Sequence, residues 1–127
     1  MNKTSDNVTL ILPVKGDYVS TARLTASSVA NRMGFNIDEV EDIKVAVAEV
    51  CNIILSKAEE NIKQYRISFD TNSDILQITF TGEKIPFKCF NDSLENEYGL
   101  YIIQALMDSV ELCNDNYSIV MTKRIGE

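Results

Sequence analysis

The chain of 127 residues contains no histidine. Its three cysteines, Cys51, Cys89 and Cys113, are an odd number with neither CxxC nor Cys/His spacing. Together these lacks disfavour a zinc centre and a Cys-His nucleophile, while carboxylate-bound Mg2+ stays open. The cysteines read as small apolar filler in a reducing compartment. No apolar run reaches the roughly 18 residues of a membrane span, and residues 1–6 are polar, without the apolar part of a signal peptide. The expected location is therefore the cytoplasm, with no membrane partner. Basic residues are scarce as well, 12 Lys and Arg against 19 Asp and Glu, for a net charge of −7. Binding to a phosphate backbone needs clustered Lys and Arg, so no direct nucleic-acid partner is expected. The acidic balance suits solubility or docking to a basic surface. Repeats, low-complexity segments and linkers are lacking too, and the length suits one domain, 1–127, with one core.

What is present is periodicity. Residues 8–13 alternate as a strand stopped by Pro13, and Lys15-Gly16-Asp17 makes a turn. Tyr18, Val19, Ala22, Ala26, Val29, Ala30 and Met33 recur at helical spacing, with Gly34 placed as a C-terminal stop. Asn36 and Glu39 have the spacing of a capping box, and Asp38, Glu39, Glu41 and Asp42 suit the positive end of a helix dipole. The helix they open is expected over 37–59. Residues 65–70 and 75–81 read as two strands of a hairpin turning at Asn72-Ser73-Asp74. A loop over 82–98 holds Pro86, a short apolar helix spans 99–107, and strands over 110–113 and 117–122 flank Asn114-Asp115-Asn116. This order implies an α+β fold, a two-layer sandwich of one mostly antiparallel sheet with helices on one face.

The segment 43–55 of the second helix is apolar at ten of its thirteen positions. Glu49 stands in its middle. A carboxylate in such a run needs water, a partner or a ligand. Asn52, three residues on, shares its helical stripe, and a carboxylate with an amide there could orient a water or hydroxyl and contact Mg2+.

The stretches Val19-Ser20-Thr21-Ala22-Arg23-Leu24-Thr25, Asn31-Arg32-Met33-Gly34-Phe35 and 39–51, with Gly99 to Val110 and Met121-Thr122-Lys123, resemble the bacterial anti-sigma-factor serine kinases of the RsbW and SpoIIAB type. The resemblance covers residues 10–123 in order. It implies the GHKL ATPase fold and a domain that sequesters a sigma factor and binds and phosphorylates an anti-anti-sigma factor. It implies ATP and Mg2+ as cofactors and a possible homodimer.

The family's ATP site has three pieces, and this sequence departs from each. The first is Glu-x-x-x-Asn, with Glu as general base and Asn on Mg2+. Glu49 matches the base, but the Asn position holds Ile53, and Asn52 is displaced by one residue, about 100° around a helix of roughly 3.6 residues per turn. Only a helical bulge would bring Asn52 back to bind Mg2+. The second is Asp-x-Gly, which reads adenine; Gly82 stands at the Asp position and Lys84 at the Gly position. The third is a lid ending in a Gly-rich turn that cradles phosphates at a helix N-terminus. Here the lid is short, Gly99 alone remains, and Asp92, Glu95 and Glu97 precede it with no Lys or Arg between Lys88 and Lys123. Each carboxylate facing a phosphate at about 4 Å and an effective dielectric near 20 costs around 4 kcal/mol before screening.

Two functions follow from the resemblance. One is an anti-sigma-like regulator acting by partner switching with ATP binding impaired or lost. The other is an active protein-serine kinase on Mg-ATP with Glu49 as base. The site residues on these readings are Glu49 for catalysis and Asn52, Gly82 and Gly99 for nucleotide. Arg23 is a cation on an otherwise small and apolar helix. The resemblance implies partner contact there, through bidentate pairing with a carboxylate, and the alternative is a salt bridge to an acidic residue of the second helix. Glu49 could instead bond a neighbouring backbone or lysine, and Gly99 could be a helix-start glycine.

Overall fold

The computed structural model describes residues 5–58, 61–82, 98–113 and 118–126. Its strands are β1 (Ser5–Pro13), β2 (Gln64–Asn72), β3 (Ile75–Thr81), β4 (Ser109–Cys113) and β5 (Ser118–Arg124). Its helices are α1 (Val19–Met33), entered through a 3-10 turn at Gly16–Tyr18, then α2 (Ile37–Lys57) and α3 (Tyr98–Leu106). The strands form one antiparallel sheet in the order β1-β2-β3-β5-β4. This is the expected α+β sandwich.

Alternation decides which face of the sheet is covered. Tyr65, Ile67 and Phe69 of β2, Leu76, Ile78 and Phe80 of β3, and Ile119 and Met121 of β5 are buried on one side. They join Ala22, Ala26 and Ala30 of α1 and Ile43, Ala46, Val47, Val50 and Ile54 of α2 in one core. The small side chains of α1 let it lie close to α2. The other side of the sheet is polar, with Asn7 Nδ2 donating to Asp70 Oδ1 at 2.7 Å and Thr9 Oγ1 3.3 Å from Ser68 Oγ.

The helix ends follow their local signals. Gly34 adopts φ +102°, and the amides of Gly34 and Phe35 return to the carbonyls of Asn31 and Ala30, the Schellman closure that glycine permits. The capping box forms in full: Glu39 N–H donates to Asn36 Oδ1 at 2.8 Å, and Asn36 N–H donates to Glu39 Oε1 at 2.9 Å. The second oxygen of Glu39 accepts the Gly126 amide at 2.7 Å, so one carboxylate fixes both the start of α2 and the exit from β5. A Cβ on Gly126 would lie 2.7 Å from that oxygen, so a larger residue there would push the carboxylate off its present position.

Strand β1 extends to Ser5, beyond the expected start at Val8, because Asp6 N–H donates to Thr71 Oγ1 at 3.0 Å and Asn7 is held by Asp70. Helix α2 ends at Lys57, and β5 runs on to Arg124. Among the described residues no helix is long and apolar enough to cross a membrane.

Candidate site at the junction of α2 and α3

Glu49 lies half-buried on α2, one turn before Ile53, which is 4% exposed. Helix α2 is a continuous α-helix through this region, without a bulge. Asn52 therefore stays one position off the stripe that Glu49 shares with Ile53, and it is exposed.

Gly99, in the first turn of α3, rests directly on that stripe. A Cβ built on Gly99 would come 2.9 Å from Glu49 Oε1, 3.4 Å from Ile53 Cδ1 and 3.7 Å from Ile53 Cγ1. Gly99 thus marks a close approach of two helices, where a larger residue would displace the Glu49 carboxylate. Glu49, Ile53 and Gly99 are brought together. Ile53 offers no oxygen to a metal. Among the described residues no group of three or more Cys, Asp or Glu side chains is placed to hold an ion.

The other end of α3 is held by a lysine. Lys123 Nζ donates to the Leu106 carbonyl at 2.6 Å and lies 4.0 Å from Asp42 Oδ2. Its side chain is 12% exposed. Since the start of α3 meets Glu49 and Ile53 while its end meets a lysine beside Asp42, α3 runs antiparallel to α2. A carboxylate at the N-terminus and an ammonium at the C-terminus both match the helix dipole. The sequence signal for Lys123 was the cation-free stretch that it ends, but nothing local pointed to Leu106.

The remaining candidates lie elsewhere. Gly82 follows β3 and lines a separate hollow of about 570 Å3 together with Ile11, Ile62, Tyr65, Arg66 and Thr81. Arg23 is exposed on α1 beside Leu24, itself 67% exposed, and among the described residues it makes no ion pair, with α2 or otherwise. Lys84, Lys88, Asp92, Glu95 and Glu97, as well as Cys89 and the turn at 114–116, lie outside the described residues. Cys51, on the buried side of α2, is fully enclosed. Burial pushes its thiol up to about 11, with the Tyr65 side chain pulling weakly the other way. The Tyr65 hydroxyl is also raised, first by burial and then by Cys51, and no well-formed hydrogen bond reaches it. A thiol held protonated in this way is no nucleophile.

Residues 12–123 match the model of the histidine kinase-like ATPase domain. Serine-protein kinase RsbW of Bacillus cereus (strain Q1) is 33% identical over 143 aligned positions, spanning 98% of this chain and 89% of that protein. The chain belongs to the RsbW-type serine kinase family. Serine-protein kinase RsbW of Halalkalibacterium halodurans is likewise 33% identical, over 93% of this chain and 83% of its own. The Bacillus cereus alignment is longer than this chain, so that relative of the RsbW type carries residues that this one lacks. Among solved structures, the RsbU and RsbW domains of Rv1364c from Mycobacterium tuberculosis superpose with a TM-score of 0.71 at 12% identity. The match covers 96% of this chain and 33% of that one, a likeness of fold.

Proposed function

We propose that this RsbW-type chain is an anti-sigma-factor-like regulator that acts by partner switching in bacterial transcription control, with ATP binding impaired or lost. The observation that carries this reading is the side chain of Ile53 beside Glu49 at the junction of α2 and α3. Ile53 fills the position where the family has a magnesium-binding Asn, and Gly99 packs on Glu49 and Ile53 where a nucleotide would need room. Among the described residues, the side chain of Ile53 offers Mg-ATP no metal ligand. Asn52 stands exposed and off the stripe, and Gly82 brings no carboxylate to read adenine.

In this reading the working surface is α1. Arg23, which makes no ion pair among the described residues, and Leu24 offer a guanidinium beside an exposed apolar side chain, a combination suited to a carboxylate-bearing protein surface. The partners are a sigma factor and an anti-anti-sigma factor, bound in the cytoplasm by a single domain, 1–127, or by its homodimer, without direct contact to nucleic acid.

Calorimetry on the full chain tests both halves. Mg-ATP gives no saturable heat at millimolar concentration, and a cognate sigma factor binds with an affinity that Arg23→Ala lowers about tenfold or more. Saturable Mg-ATP binding that is lost in Glu49→Ala overturns the reading of an impaired nucleotide site. The alternative, an active protein-serine kinase, then stands, and transfer of phosphate to an anti-anti-sigma factor is its own test.

A further inference from the structure

We infer that the hollow at the end of β1, β2 and β3 is a binding site for a small phosphate monoester, with Lys63 and Arg66 on the phosphate. This goes beyond the regulatory reading and does not rest on it.

The hollow follows from strand register. Arg66 lies between the buried Tyr65 and Ile67, so its side chain leaves the sheet on the polar side. Its partners across the two ladders are Ile11 of β1 and Thr81 of β3, and the three make one row over three strands. Residues 61–64, at the entry to β2, and Gly82 complete the lining. The space is about 570 Å3, within the range of small-molecule sites. Neither Glu49 nor Ile53 nor Gly99 lines it, so it is distinct from the junction of α2 and α3.

The chemistry of the lining calls for an anion. Among the described residues it holds two of the chain's 12 basic residues and no acidic one, in a chain of net charge −7. Among the described residues the side chains of Asn61, Lys63, Gln64, Arg66 and Thr81 make no hydrogen bond or ion pair. Elsewhere on the same face polar side chains satisfy one another, as Asn7 does with Asp70, Thr9 with Ser68 and Ser109 with Thr122. All five lining groups donate hydrogen bonds, and the two cations can only donate. Acceptor oxygens and negative charge are what such a set lacks. A phosphate monoester brings both in one compact group. The Arg66 fork takes two of its oxygens at once, and Lys63 adds a point charge. The organic part then lies against Ile11, 52% exposed, and Ile62, 8% exposed.

Nuclear magnetic resonance titration of the full chain with phenyl phosphate tests the site, without Mg2+ and at fixed ionic strength. Amides of residues 63–66, 81 and 82 are expected to shift and to saturate, with a Kd on the order of tens of millimolar. Lys63 and Arg66 are exposed, so Lys63→Gln and Arg66→Gln leave the fold intact. Each is expected to weaken binding about fivefold or more, whereas Glu49→Ala leaves it unchanged. Ile11→Ser is expected to weaken phenyl phosphate but not inorganic phosphate. Succinate, which divides the same charge between two carboxylates, is expected to bind about fivefold more weakly than phenyl phosphate. Shifts that fail to saturate, or that persist in Arg66→Gln, overturn the site. Succinate binding as tightly as phenyl phosphate overturns the assignment to phosphate. Equal weakening of both phosphates by Ile11→Ser overturns the placement of the organic part. Saturable shifts centred on Glu49 and Gly99 and lost in Glu49→Ala overturn the hollow in favour of the junction of α2 and α3.

Discussion

Cys51 and Tyr65 bring a thiol and a phenol together in the core, and burial disfavours the ionised form of both. The thiol moves from an ordinary 9.0 to about 11 in the folded chain. Below pH 9 it is neutral whether the chain is folded or not, and the contribution to stability is fully present. As pH rises from about 9 to 11, the unfolded chain loses the proton and the folded chain does not, so stability falls. At 1.36 kcal/mol per unit this amounts to roughly 2–3 kcal/mol. Urea midpoints measured at pH 8 and pH 10.5 should differ accordingly, and Cys51→Ala should flatten that alkaline decline while costing some stability at pH 8 through the cavity it leaves. At this same scale Glu49 was conspicuous in the sequence, because a lone carboxylate in an apolar run is visible without coordinates. What it touches was not visible. Gly99 lies fifty residues away, and its contact with Glu49 depends on how two helices cross.

Elements bounded by local chemistry were legible. The hairpin strand Ile75–Thr81 has the expected limits, because alternation and turn residues bracket it. Gly34 and the Asn36–Glu39 box close α1 and open α2 as their side chains dictate. The reach of β1 to Ser5 was not legible, since Ser, Asp and Asn are poor strand formers and are held there by Thr71 and Asp70 across the ladder. Nor was the double duty of Glu39, whose second oxygen binds an amide 87 positions away. Glu39→Ala removes the reciprocal cap and the tie to Gly126 together. A loss of about 1–2 kcal/mol is expected in thermal or urea unfolding. Glu39→Gln retains an acceptor for one of the two amides and should recover about half of that loss.

For the whole molecule, composition indicated an acidic chain, the order of the periodic segments an α+β fold, and the resemblance the family. Neither placed the strands. Alternation says which side chains of a strand face inward but carries no information about its neighbours, and a connection such as residues 83–117 can deliver β5 to either edge or to the interior. The position of β5 between β3 and β4 is therefore a tertiary fact. It also decides how α3 is held, since Lys123 reaches Leu106 from that strand.

That placement bears on how the chain is made. On the ribosome β1, α1, α2, β2 and β3 emerge well before β5, and until residues 118–124 leave the exit tunnel one side of β3 has no strand to pair with and β4 has no neighbour in the sheet. A nascent chain in this state offers an unpaired edge beside Leu76, Ile78 and Phe80, the kind of template on which chains associate with one another. Chains halted after residue 117 should accordingly sediment as aggregates or be retained by chaperones, whereas chains extended through residue 126 should be released soluble, and centrifugation of the two translation products would distinguish them.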